Sequence, residues 1–377
     1  MSSIFDFFEH LFSSTPHPPT RIVVKSSNYV SSSLSPDQIK TASGTPAAAN
    51  QHYVRIWATH MLLSESMKWL TTVYPAVYSI VHLRFGDDDQ DLANLAGPKQ
   101  LGNLKPADQD HSKLINQPLT GLLPFRGGTV RLSCGLASVP ATNILSNFLN
   151  TVSDFAGKLA QPQVSAGITL ASSIATGVQS LLGAGDTKLM LYYDTTYTGL
   201  PGEQALQSGF VFLSDVKAGT ISSDQLWIID GEPRIGSTAA NAGPITGQNY
   251  VLLQIEVRTD RDDWGQFKDI EVPLQEAISA KISGKQDDAS KFLIAAKLAA
   301  FNSQDLTEVD RKRVLLAIDT EFSSVAAITG PEVSATAAAT PRSLVEVMKS
   351  AISFSEARNL TAPTARQLLS TPGLSMP

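Results

Sequence analysis

The stretch from Leu119 to Tyr193 constrains this chain more than any other, because it sets an apolar helical pattern between two strand patterns. It opens as Leu119-Thr120-Gly121-Leu122-Leu123-Pro124-Phe125, breaks at Arg126-Gly127-Gly128, and resumes as Thr129-Val130-Arg131-Leu132-Ser133-Cys134. That pattern predicts two strands joined through a Gly-Gly turn. Ile144, Leu145, Phe148, Leu149, Val152, Phe155 and Leu159 then recur at helical spacing. A second stripe follows at Val164, Ile168, Ala171, Ala175, Val178 and Leu182, with Pro162 ending the first helix. Strand returns at Lys188-Leu189-Met190-Leu191-Tyr192-Tyr193. A helical hairpin at 143–182 between strands is a core element, and it predicts an α+β body. It predicts no chemistry.

The strand patterns on either side extend that body. Arg21–Lys25, Tyr53–His60, Ala76–Phe85, Gly209–Ser214, Gln225–Ile229 and Tyr250–Val257 are all rich in β-branched and aromatic residues. Asp230-Gly231 is a strong hairpin turn between Ile229 and Arg234-Ile235-Gly236. Residues 31–51 and 86–113 read as polar connections. Short strands at moderate spacing predict a β-sandwich-like antiparallel body over 20–265. The composition changes after Pro273, and residues 266–322 read as a helical region. One helix carries Ala277, Ile278 and Ile282 and stops at Gly284. A second runs from Asp287 to Phe301, with Ala295, Ala296, Ala299 and Ala300 as its close-packing face. Thr307-Glu308-Val309-Asp310 resembles a capping box and starts a third, with Val314, Leu315, Ile318 and Phe322 on one side. Residues 323–377 read as an Ala/Thr/Ser linker, a last helix at 342–357 and a Pro-containing tail.

With 377 residues, such a chain suffices for roughly two domains. Charged residues make up 17% of it, which favours extensive contact surfaces over a heavily solvated monomer. Net charge is −6 with no basic stripe, so nucleic-acid binding is not expected. The single Cys134 allows no internal disulfide and fits a reducing compartment, hence a cytoplasmic protein. No run reaches the roughly 18 apolar residues of a membrane span, and membrane association is not expected. The N-terminus lacks the basic start and long apolar run of a signal peptide. Instead, residues 1–19 pair an apolar segment, with Phe5, Phe8, Leu11 and Phe12 largely on one side, with a linker stiffened by Pro16, Pro18 and Pro19.

Catalytic signatures are absent. Cys134 lies on an apolar strand and reads as a buried, inert thiol. The histidines His10, His17, His52, His60, His82 and His111 show no paired metal spacing, and HExxH, CxxC and GxSxG do not occur. Gly127-Gly128 and Gly183-Ala184-Gly185 lack the Gly-Lys-Ser/Thr of a phosphate loop. Gly86-Asp87-Asp88-Asp89-Gln90-Asp91 lacks the alternate spacing and closing Glu of an EF-hand and reads as a solvated loop. A second acidic group follows the best strand at Asp260-Arg261-Asp262-Asp263, with Asp269 and then Ile270-Glu271-Val272-Pro273-Leu274. Over about 25 residues this order resembles the third calcium loop of C2 domains. The resemblance implies calcium ligands at Asp260, Asp262 and Asp263 that bridge to acidic lipid head groups. The first loop of that family needs two aspartates, and Tyr193-Asp194-Thr195-Thr196-Tyr197 offers Asp194 alone.

The sequence therefore leads to a non-enzymatic assembly or interaction subunit without cofactor, docking by apolar terminal segments on a protein partner or on itself as a homo-oligomer. Partner-binding residues are expected at Phe5, Phe8, Leu11 and Phe12. A C2-like calcium-dependent lipid-binding module, or an enzyme whose site assembles only in the fold, is the alternative.

Overall fold

The computed structural model of the protein describes residues 19–32, 44–64, 67–68, 71–85, 88–96, 112–140, 163, 188–202 and 204–325. The expected hairpin at 143–182, the N-terminal segment and the helix at 342–357 fall outside these residues, apart from Gln163. The fold is mixed α+β, and the chain divides into two compact units between Arg258 and Thr259.

Among the described residues, the first unit contains three sheets. The six-stranded sheet runs β1 (Thr20–Val23), β11 (Gly209–Ser214), β15 (Tyr250–Arg258), β3 (Tyr53–Leu62) and β7 (Ser112–Pro118), with β8 (Leu123–Pro124) also on β3. The five-stranded sheet runs β10 (Lys188–Thr198), β9 (Thr129–Pro140), β5 (Thr71–Phe85) and β4 (Met67–Lys68), with β6 (Asp88–Ala96) on β5. A four-stranded sheet contains β14 (Gly243–Pro244), β13 (Glu232–Ile235), β12 (Leu226–Ile229) and β2 (Tyr29–Val30). Neighbours pair antiparallel except β12 with β2.

Side-chain alternation explains the layering. Val251, Leu253 and Ile255 of β15 share one core with Val77 and Val81 of β5 and Leu132 and Leu136 of β9. Their neighbours Tyr250 and Leu252 point the other way, into a second core with Phe212, Leu226 and Ile228. The six-stranded sheet is thus the middle layer, buried on both faces, which is why β15 is almost continuously apolar. On β3 a register shift at Thr59 flips the alternation, so that Val54, Ile56 and Ala58 and then Met61 and Leu63 all reach the first core. The sandwich expectation covers two of these layers, and the third sheet adds another.

Two local expectations need correction. Gly127 and Gly128, both at positive φ, do not close a hairpin. They carry the chain from β8, paired with β3, to β9, paired with β5 and β10 in a different sheet. The connection at 86–113 contains strand β6, whose Asp89 and Asp91 lie opposite Arg84 and His82 of β5. Ile270–Leu274 is helix, within the expected helical region, and departs from the C2 pattern.

The second unit holds α1 (Lys268–Ile282), α2 (Gln286–Asn302) and α3 (Glu308–Ser324). Asp269 and Glu271 in its first turn and Lys281 in its last complement the dipole of α1. Helix α1 runs through Pro273 because Ile270, Leu274, Ala277 and Ile278 bury one stripe. It ends at Gly284, which adopts φ 73°. Thr307 caps α3, its Oγ1 accepting from the Asp310 amide at 3.2 Å. The core joins Phe267, Ile270 and Ile278 to Ala296 and Ala300 of α2 and to Val314 and Ile318 of α3.

Candidate interaction surface

The acidic loop after β15 is organised around Arg261, a guanidinium only 1% exposed. Its Nε and Nη2 donate to the two carboxylate oxygens of Asp263 at 2.7 and 2.8 Å. Nη1 donates to the Asp305 carbonyl at 3.1 Å, and the guanidinium lies 4.6 Å from the Phe267 ring centre. The Arg261 amide donates to Asp310, whose other oxygen accepts from Arg313, and Arg313 Nη2 donates to the Arg261 carbonyl at 2.7 Å. Burial opposes the Arg313 charge, but Asp310, Asp260 and Asp262 outweigh it and raise its pKa. Of the aspartates implied as calcium ligands, Asp263 is therefore an arginine partner, and Asp260 and Asp262 lie in the field of a second arginine. The network fixes the start of the helical unit. Among the described residues, no three His, Cys, Asp or Glu side chains group so as to hold a metal ion.

Other polar clusters are ties between strands. Asp194 on β10 accepts from Arg131 Nε at 3.1 Å and Nη2 at 3.0 Å, from the Tyr192 hydroxyl at 2.9 Å and from Ser133 Oγ. Burial alone would raise the Asp194 pKa, but these donors hold it below the usual carboxylate range. On the middle sheet Glu256 accepts from the Trp57 indole at 2.9 Å, with Arg55 and Arg258 each 3.8 Å away. His82 Nδ1 pairs with Asp91 at 2.6 Å across β5 and β6. Cys134 is fully buried, and burial pushes its thiol far above neutrality, which removes the thiolate a nucleophile needs. A void of about 10 Å³ between the two larger sheets, lined by Val54, Ile56, Val81 and Leu83 among others, is far below ligand size.

An apolar face in the helical unit is of a different kind. Helix α2 buries Ala289, Ala296 and Ala300 on its inner side. On the opposite side Ile294, Leu298 and Phe301 stand 57%, 55% and 60% exposed. Their i, i+4, i+7 spacing makes one continuous stripe. Lys291, exposed, and Lys297, paired with Asp319, flank it on either side. Leu316 and Val309 of α3 are also exposed. Single exposed leucines are ordinary, but three large side chains aligned on one helix match the anchor pattern by which helices dock in grooves. The alanines on the inner side dominate the sequence pattern of this helix. The signal for the outer stripe is the recurrence of Ile294, Leu298 and Phe301 at helical spacing opposite the alanines.

The expected partner residues Phe5, Phe8, Leu11 and Phe12 lie outside the described residues. Among the described residues, no helix is long and apolar enough to cross a membrane. No protein-family model, curated protein or solved structure matches this chain.

Proposed function

We propose that this chain is a non-enzymatic assembly subunit that binds an apolar helical segment of a neighbouring protein on the outer face of α2, forming a homo-oligomer in the cytoplasm. The observation that carries the reading is the exposed Ile294–Leu298–Phe301 stripe. Each of these side chains leaves more than half of its surface in water, and burying one fully is worth about 1.5–3 kcal/mol. A docked segment covering all three gains enough to offset part of the entropy of association. The lone, fully buried Cys134 accords with a reducing compartment.

The test is the solution mass of Leu298→Asp beside the unaltered chain by light scattering. Leu298 points away from the core, so the variant keeps its fold. Placing a carboxylate in the centre of the stripe is expected to weaken self-association about tenfold to a hundredfold. Equal masses at every concentration would remove the reading.

A further inference from the structure

We propose that the outer face of α2 receives the N-terminal segment Ile4–Phe12 of a second copy of this chain. The inference rests on the assembly reading and adds the identity of the occupant. Length fits first. As a helix the nine residues extend about 13 Å, and the stripe from Ile294 to Phe301 rises about 10 Å. Spacing fits next. Phe5, Phe8 and Phe12 recur at i, i+3, i+7, and Ile294, Leu298 and Phe301 at i, i+4, i+7, so the two stripes can interleave along their length.

Charge gives the segment its preference. Ile4–Phe12 contains Asp6 and Glu9 and no Lys or Arg. The stripe is flanked by Lys291 and by Lys297, the latter already paired with Asp319, while Asp287 and Asp288 lie a turn or more away at the start of α2. Opposite charges beside an apolar seam set partner and orientation. The second copy as source follows from the assembly reading, and the linker sets the reach of the segment. Residues 13–19 carry Pro16, Pro18 and Pro19 and lead into β1 at Thr20. At about 3.1 Å per residue, a seven-residue extended run would span roughly 20 Å.

The test uses full-length chains with engineered cysteines, because the single native Cys134 is fully buried and leaves the background quiet. Phe8→Cys and Leu298→Cys proteins carrying different tags are mixed under mild oxidation. Disulfide-linked heterodimer should form at least about tenfold faster than with Asp6→Cys, a position that a docked helix would turn away from the stripe. Equal rates would overturn the inference. So would a Phe8→Cys/Leu298→Cys double variant that cross-links only within one chain at all dilutions. If Leu298→Asp lowers the mass while Phe8→Cys couples no faster than Asp6→Cys, α2 is an assembly face with another occupant, such as residues 342–357, and this inference alone falls. No coupling together with an unchanged mass removes both.

Discussion

Gly135 offers the sharpest test of the packing on the five-stranded sheet. It sits in mid-strand on β9, opposite Tyr78 of β5, and the tyrosine ring lies across it. A Cβ at this position would stand 2.6 Å from Tyr78 Cε1 and closer still to Cζ and the hydroxyl oxygen. Tyr78 is 1% exposed, so the ring has no solvent into which to retreat. The backbone of Gly135 is not at positive φ, so the cost of Gly135→Ala is steric and not conformational. Overpacking of this kind costs about 1–3 kcal/mol. For a unit of this size 2 kcal/mol corresponds to a fall in Tm of roughly 4–8 °C. Thermal melting followed by the β-sheet circular-dichroism signal reads it directly. In a Tyr78→Leu background the same substitution should cost less than about 0.5 kcal/mol, because the atoms it strikes are gone. A Gly135→Ala protein melting within a degree of wild type would refute the ring-over-glycine account.

Two further perturbations probe the second core and the helical unit. Burial lowers the His60 pKa to about 4, with Glu232 opposing, and Tyr250 Oη lies 3.0 Å from its Nδ1. Between the unfolded value near 6.5 and that folded value the unfolded chain binds more protons, so stability is present above pH 6.5 and is lost as pH falls toward 4, by roughly 3 kcal/mol. His60→Phe should flatten that part of the stability–pH curve, and denaturant titrations with parallel curves for both proteins would contradict it. Arg261→Met should destabilise the helical unit by about 3 kcal/mol, since it strips the charged partner from Asp263 and a donor from the buried Asp305 carbonyl. Helical melting unchanged by that substitution would mean the network is ornamental.

How much of this was legible in the sequence follows from which signals are local. The β12–β13 turn was, because Asp230 and Gly231 both adopt positive φ, at 49° and 86°, and those residue types tolerate it. So was the Thr307 cap, whose hydroxyl and third following amide are fixed by the first turn of a helix. The strand β6 was hidden because Asp88, Asp89 and Asp91 look like a solvated loop. Asp91 finds His82 across the strand pair, a contact three-dimensional pairing alone supplies. The Gly127-Gly128 turn was recognised, but a turn between sheets and a hairpin turn carry the same residues. The edges of the third sheet were unreadable, since β2 and β14 have two residues each and no pattern fits in two positions. The helical region from 266 onward was legible, but not that burial of Ile270 and Leu274 draws α1 straight through Pro273. On α2 the alanine face was seen and the opposite stripe was not, because a packing helix is expected to be polar on its other side.

The central claim, that this chain works by self-association, is tested most directly by sedimentation equilibrium on the unaltered protein over a wide concentration range. The account predicts a mass that rises with concentration to an integral multiple of 40.3 kDa. A mass fixed at 40.3 kDa at every concentration would contradict it.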